Sequence, residues 1–215
     1  MTNNGHEKLV GRGARDGAQL FREWFQRLSD TAESGGHSAY VFVMGSMAEI
    51  LRVFDLPMVF PEINSLQTAI RHVSAEFLNE AEDIGYSPDI CGYVKADVAL
   101  QMRGGGHPMG KIPKPSIAVL TNACNTYLKW AEIWERMYEI PMVTVDVPAT
   151  RQANQQSQPG SEQFNREKKY VLEQIKELIK ICEKLTGKKF AIDKLRQIMG
   201  YANVMSKNWK RVLEL

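Results

Sequence analysis

Four short apolar runs, three of them passing through turn residues into a stretch of helical periodicity, set the limits on what this chain can become. "SAYVFVMGS" ends at Gly45-Ser46 and leads into "MAEILRVFD"; "LPMVFPE" ends at Pro61-Glu62 and leads towards "SLQTAIRHVSAEFLNEAEDIG". "SIAVL" passes through "TNACN" into "TYLKWAEIWERMYEI", and "PMVTVDVP" supplies the next run. Short uninterrupted β-rich runs alternating with helices predict parallel strands buried on both faces. The expected fold class is therefore α/β: a doubly wound parallel sheet flanked by helices.

The flanks read differently. Residues 1–36 comprise a polar, Gly-rich start and an amphipathic helix with Leu20, Trp24, Phe25 and Leu28 at helical spacing, stopped by Gly35-Gly36. Residues 37–150 hold the alternating α/β pattern, within which "SLQTAIRHVSAEFLNEAEDIG" predicts one long helix closed by Gly85. "RGGGHPMGKIPKP" is rich enough in Gly and Pro to predict only a surface loop. The polar linker "ATRQANQQSQPGSEQ" leads into residues 151–215, which continue as a helical segment. Val171, Ile175, Leu178, Cys182 and Leu185 form its first apolar stripe, Gly187 ends that helix, and Asp193 is the expected cap of the next. With nothing following for the last two amphipathic helices to bury against, partner chains or further sequence are expected to complete them.

Bulk properties exclude several functions. The 27 Lys and Arg nearly balance the 25 Asp and Glu, so the net charge of +2 makes no case for nucleic acid or an anionic membrane. No apolar stretch approaches the ~20 residues that cross a bilayer, and "MTNNGHEKLVGRGARDG" lacks the apolar core of a signal peptide, so a cytoplasmic location is expected. The three cysteines are odd in number and widely spaced, which suits a reducing compartment better than a disulfide framework. "GGGHPMG" is not GxGxxG between strand and helix, and GxxxxGK[ST], HExxH and close CxxC are absent. His6, His37, His72 and His107 are scattered and read as ordinary histidines.

In open α/β sheets, sites form at the carboxyl ends of strands. Four such points carry suggestive residues: Gly45-Ser46, Pro61-Glu62, Cys91-Gly92 and Asn122 to Asn125 around Cys124. A cysteine opening a helix sits at the positive end of its dipole, which favours the thiolate that binds iron or attacks substrate. Gly92 beside Cys91 would leave room for a bulky group. Free cysteine is also among the most buried residue types, so simple burial is the competing reading for Cys91 and Cys124. Cys182, within an apolar helix stripe, reads as core, and so do Trp130 and Trp134.

"DICGYVKADVAL", "GGGHPMGKIPKPSIAVLTNACNTYLKWAEIWERMYEIPMVTVDVP" and "YVFVMGSMAEILRVFDLPMVFPE" together resemble the family of benzoyl-CoA reductase and 2-hydroxyacyl-CoA dehydratase subunits. The likeness runs from about Phe21 to the chain end and its wording is most similar to B-type subunits of ATP-dependent benzoyl-CoA reductases. It implies a flavodoxin-like α/β domain holding a [4Fe-4S] cluster through three cysteine thiolates. Cys91 and Cys124 fall on the first two ligand positions, and Cys182 does not match the third, which is expected in a second α/β half absent here. Family subunits are roughly twice this length, so the chain is expected to be a segment, inactive alone. Ser46 and Glu62 fall near the family's substrate-side polar residues, with capping of the following helices as the alternative. The implied activity is ATP-driven single-electron reduction of benzoyl-CoA to a cyclic dienoyl-CoA. The alternatives are dehydration of a 2-hydroxyacyl-CoA, or a non-catalytic partner role. Implied partners are a homologous catalytic subunit, ATP-hydrolysing iron–sulfur electron-donor subunits and the acyl-CoA substrate.

Overall fold

A computed structural model describes residues 11–148 and 159–214; the polar start and most of the Gln-rich linker lie outside the described residues. After helix α1 (Arg12–Ser34) come β1 (Ala39–Val41), α2 (Ala48–Val53), β2 (Met58–Val59), α3 (Pro61–Ile70), α4 (Ser74–Asp83) and α5 (Gly92–Met102). There follow β3 (Gly106–His107), β4 (Gly110–Lys111), β5 (Ile117–Thr121), α6 (Asn125–Tyr138), β6 (Met142–Val145), α7 (Glu162–Thr186) and α8 (Ile192–Leu213).

The main sheet has the order β2-β1-β5-β6, every pair parallel, with Tyr40 opposite both Val59 and Ala118 and Leu120 opposite Thr144. Counting only its own strands, this is the flavodoxin-like order in which the chain reverses direction between β1 and β5. The period-2 alternation of a strand sorts its side chains cleanly between two cores. Tyr40, Phe42, Ala118 and Leu120 join Phe25, Phe77, Trp130 and Trp134 on one face. Ala39, Val41, Ile117 and Val119 join Leu51, Phe54, Leu178 and Cys182 on the other. α7 thus closes the second face of the sheet, and Leu195 and Ile198 of α8 pack beside it.

Several expectations need correction. The long helix predicted from Ser65 to Gly85 is two helices, because His72 takes a left-handed conformation (φ 58°). Its N–H donates to Ala69 C=O at 2.9 Å and the next N–H, of Val73, to Thr68 C=O at 3.0 Å, the paired bonds of a Schellman closure made without glycine. The Gly-rich loop is not all loop and not all surface: β3 and β4 pair antiparallel. His107 is buried there, its Nε2 3.0 Å from Asn64 C=O and its ring stacked on Phe25 at 5.6 Å. Gly105 (φ 87°) lets the chain fold back, since a Cβ there would stand 2.2 Å from Ile112 C=O. Asp193 does not cap α8: Ala191 holds that position, and Asp193 lies in the first turn paired with Arg196 at 2.6 Å.

Asn64 is 1% exposed, and both polar atoms of its amide lack a hydrogen-bond partner among the described residues. An unpaired buried amide costs more than an apolar group of the same shape. Asn64→Leu is therefore expected to raise stability by about 1 kcal/mol in a urea melt. A loss of stability instead would mean that the amide is satisfied in solution.

Candidate functional site at the carboxyl edge of the sheet

The crevice where the strand order reverses lies between the loops that follow β1 and β5. These loops touch at Gly45, whose φ of 68° brings it so close to Thr121 that a Cβ would stand 2.7 Å from both Thr121 Cγ2 and Oγ1. Thr121 Oγ1 donates to Met44 C=O at 3.4 Å. Met47, which opens α2, is also left-handed (φ 25°), a costly conformation for a non-glycine residue. Ser46 sits half-buried between these two residues. No side chain caps α2 or α3, so the capping alternative for Ser46 and Glu62 is not realised.

Glu62 instead spans the crevice. It stands in the first turn of α3, after β2 and Pro61 at the helix start. Its Oε2 accepts from Val43 N–H at 2.6 Å and its Oε1 from the Tyr127 hydroxyl at 2.5 Å. Tyr127 is buried and stacks on Phe42, ring centroids 3.9 Å apart and planes within 10°. Burial first, then the hydrogen bond and charge of Glu62, push the Tyr127 phenol well above its ordinary pKa, so it remains a donor.

Cys124 is the N-cap residue of α6, half-buried against the first core, and makes no side-chain cap bond. The turn before it is fastened by Asn122: its amide N–H donates to Asp146 Oδ1 at 2.5 Å, and its Oδ1 accepts from Val147 N–H at 3.0 Å. Cys91 is the N-cap residue of α5, exposed, and likewise makes no side-chain cap bond. It does not follow a strand, contrary to expectation: the chain passes directly from α4 to α5. It nevertheless reaches the same edge, because Cys91 shares a groove of 540 Å³ with Asn125 at the start of α6, walled by Tyr86, Ile90, Val94 and Ile133. Gly92 does not leave free space as expected; its missing side chain admits Leu78, whose Cδ2 would lie 3.3 Å from a Cβ, and this seats α5 on α4.

The Cys91 loop is tied from below. Lys95, 4% exposed, donates to Glu82 at 2.5 Å and to Pro88 C=O at 3.0 Å, which fixes the turn that delivers Cys91. Cys182 is fully buried, and burial pushes its thiol up to about 11, which keeps it neutral and inert, as its place in a helix stripe predicts. Trp130 and Trp134 are core residues, but their indoles also carry a polar function that the sequence reading missed. Both Nε1–H groups donate to Asp97 Oδ2 at 2.7 Å, and Gln101 donates to Oδ1 at 2.9 Å. Asp97 on α5 thereby grips α6, so one buried carboxylate joins the two helices that begin at Cys91 and Cys124. Tyr127 was also missed; the only signal was its position one turn after Cys124.

Cys91 and Cys124 thus stand at helix N-termini with side chains not engaged in capping, and cysteine is a residue type that ligates metals. Among the described residues, no group of three or more His, Cys, Asp or Glu side chains could hold a metal ion. Cys91 and Cys124 alone are fewer than the four thiolates that usually hold an iron–sulfur cluster. Among the described residues, no helix is long and apolar enough to cross a membrane.

The chain is similar to one family model and to several known proteins. The family model described as 2-hydroxyglutaryl-CoA dehydratase, D-component, matches residues 45–215. The chain is 34% identical to a benzoyl-CoA reductase subunit of Thauera aromatica, over 81% of this chain and 39% of that protein. It is 30% identical to the (R)-phenyllactyl-CoA dehydratase alpha subunit of Clostridium sporogenes, over 76% of this chain and 38% of that protein. It is 28% identical to the (R)-2-hydroxyisocaproyl-CoA dehydratase alpha subunit of Clostridioides difficile, over 78% and 39% respectively. The matches thus span about two fifths of the length of these relatives.

Proposed function

Because the chain belongs to the 2-hydroxyglutaryl-CoA dehydratase D-component family, we propose that it is the part of an acyl-CoA-transforming subunit that supplies Cys91 and Cys124 as two thiolate ligands of a [4Fe-4S] cluster. The observation that carries this reading is that both cysteines are N-cap residues of uncapped helices, and that the groove lined by Cys91 reaches Asn125, the residue after Cys124. A third thiolate would come from outside the described residues. A cluster bound there would supply low-potential single-electron transfer to a thioester. The chain's own residues hold the ligands in place through Lys95, Asn122 and Asp97. They also line the substrate side with Ser46 and Glu62 and shield it with the Phe42–Tyr127 stack.

The substrate we favour is benzoyl-CoA, reduced to a cyclic dienoyl-CoA, in keeping with the relative from Thauera aromatica. ATP hydrolysis is assigned to separate electron-donor subunits, and a homologous subunit is the expected partner in a cytoplasmic complex. The second reading is 2-hydroxyacyl-CoA dehydration, favoured by the two clostridial relatives; a non-catalytic partner role is the third. The test is anaerobic purification of the natural complex with iron and sulfide counting. Cys91→Ala and Cys124→Ala are each expected to lose most of the iron, while Cys182→Ala keeps it. Full iron in both variants would refute the ligand assignment. Turnover of benzoyl-CoA against 2-hydroxyacyl-CoA by the wild-type complex then separates reductase from dehydratase, and turnover of neither favours the partner role.

A further inference from the structure

Glu62 sits where the loops after three strands meet, and Tyr127 is the group that fastens it there. Glu62 itself follows β2, it accepts the N–H of Val43 after β1, and Tyr127 follows β5 one turn beyond Cys124. Phe42 supports the ring face to face at 3.9 Å, so the hydroxyl is aimed by packing on a rigid strand end rather than by a mobile loop. The β1–α2 loop is otherwise held by Met47 N–H donating to Gly45 C=O at 3.1 Å, and by Thr121 Oγ1 donating to Met44 C=O at 3.4 Å.

We propose that Tyr127 is a positioning residue: through the Glu62 carboxylate its hydroxyl holds the Val43–Met47 loop, with Ser46, against the start of the helix that carries Cys124. This rests on reading Ser46, Glu62 and Cys124 as one site, but the clasp itself is a property of the polypeptide and can be measured without a cluster. Removing the hydroxyl frees one carboxylate oxygen, lets Glu62 swing towards solvent, and releases the Val43 N–H.

The experiment compares the full chain with its Tyr127→Phe variant, which keeps the stack on Phe42 and deletes only the hydroxyl, with its bonds to Glu62 and to the Met44 backbone. Amide hydrogen exchange and the ¹⁵N–¹H spectrum are read at Val43 to Met47, with Val119 in the central strand β5 as the internal reference. In Tyr127→Phe the Val43 amide proton is expected to move upfield and the loop to exchange about ten-fold faster, with Val119 unchanged. Glu62→Gln should reproduce the effect, and the double variant should add little to it. An unchanged Val43 resonance with unchanged loop exchange overturns the proposal. So does an equal loss of protection at Val119, which would mark Tyr127 as a general packing residue. Loss of iron in Cys91→Ala and Cys124→Ala is measured separately, so either result can fail without the other.

Discussion

Asp97→Ala is expected to lose about 3–5 kcal/mol of stability, because it strands three buried N–H donors at once. Those donors are the indoles of Trp130 and Trp134 and the amide of Gln101. The neighbouring oxygens are already engaged: Gln101 Oε1 accepts from Tyr138, and the Tyr40 hydroxyl donates to Pro113 C=O. Asp97→Asn keeps the shape and one oxygen for both indoles, while the Gln101 amide can reverse to meet the new N–H₂ group. That variant should therefore cost only about 1 kcal/mol. Burial pushes the Asp97 carboxyl above its ordinary pKa, opposed by the three hydrogen bonds. A folded value above the unfolded one means that the native state holds the proton more tightly. The associated stability is fully present below the unfolded carboxylate pKa and is lost as pH rises through the raised folded value. Urea melts across that window should show the wild type gaining on Asp97→Asn as the pH falls. A pH-independent difference, or an Asp97→Ala variant as stable as Asp97→Asn, would remove this carboxylate from its role as the joint between α5 and α6.

That joint also shows where sequence patterning stops being informative. The four parallel strands and their covering helices were legible because burial on both faces demands uninterrupted apolar runs, as in Ile117 to Leu120. Cys124 was legible for the same reason: a turn between such a run and a helix must lie at the carboxyl edge. Cys91 reached that edge by a helix-to-helix turn, a route with no strand to announce it. The break at His72 was hidden because a Schellman closure usually advertises itself with glycine, and here a histidine accepts the left-handed conformation. Asp97, Tyr127 and Asn122 were illegible for a different reason. Each owes its role to partners 24 to 65 residues away in sequence, so no local window contains the pair.

Gly45→Ala is expected to cost about 2–4 kcal/mol, combining a left-handed backbone with a steric overlap. The overlap involves both γ atoms of Thr121 at 2.7 Å, while Thr121 Cβ stands at 3.3 Å. Thr121 is itself 3% exposed on the central strand, so it cannot swing away into solvent. The two contributions separate in a double-mutant cycle. Thr121→Ala removes both offending γ atoms and leaves a contact that a few tenths of an ångström would relieve. Gly45→Ala in that background should therefore recover about 1–2 kcal/mol and retain only the backbone part. The measurement is urea unfolding of the four proteins in parallel. If Gly45→Ala costs the same whether or not Thr121 is present, the contact between the two loops is not what fixes Gly45. Ser46 would then owe its position to the Glu62–Tyr127 clasp alone. If the coupling appears, the crevice at the strand reversal is held closed from two sides, by Gly45 against Thr121 and by Glu62 against Tyr127. Ser46, Glu62 and the start of the helix that follows Cys124 then form one preorganised unit.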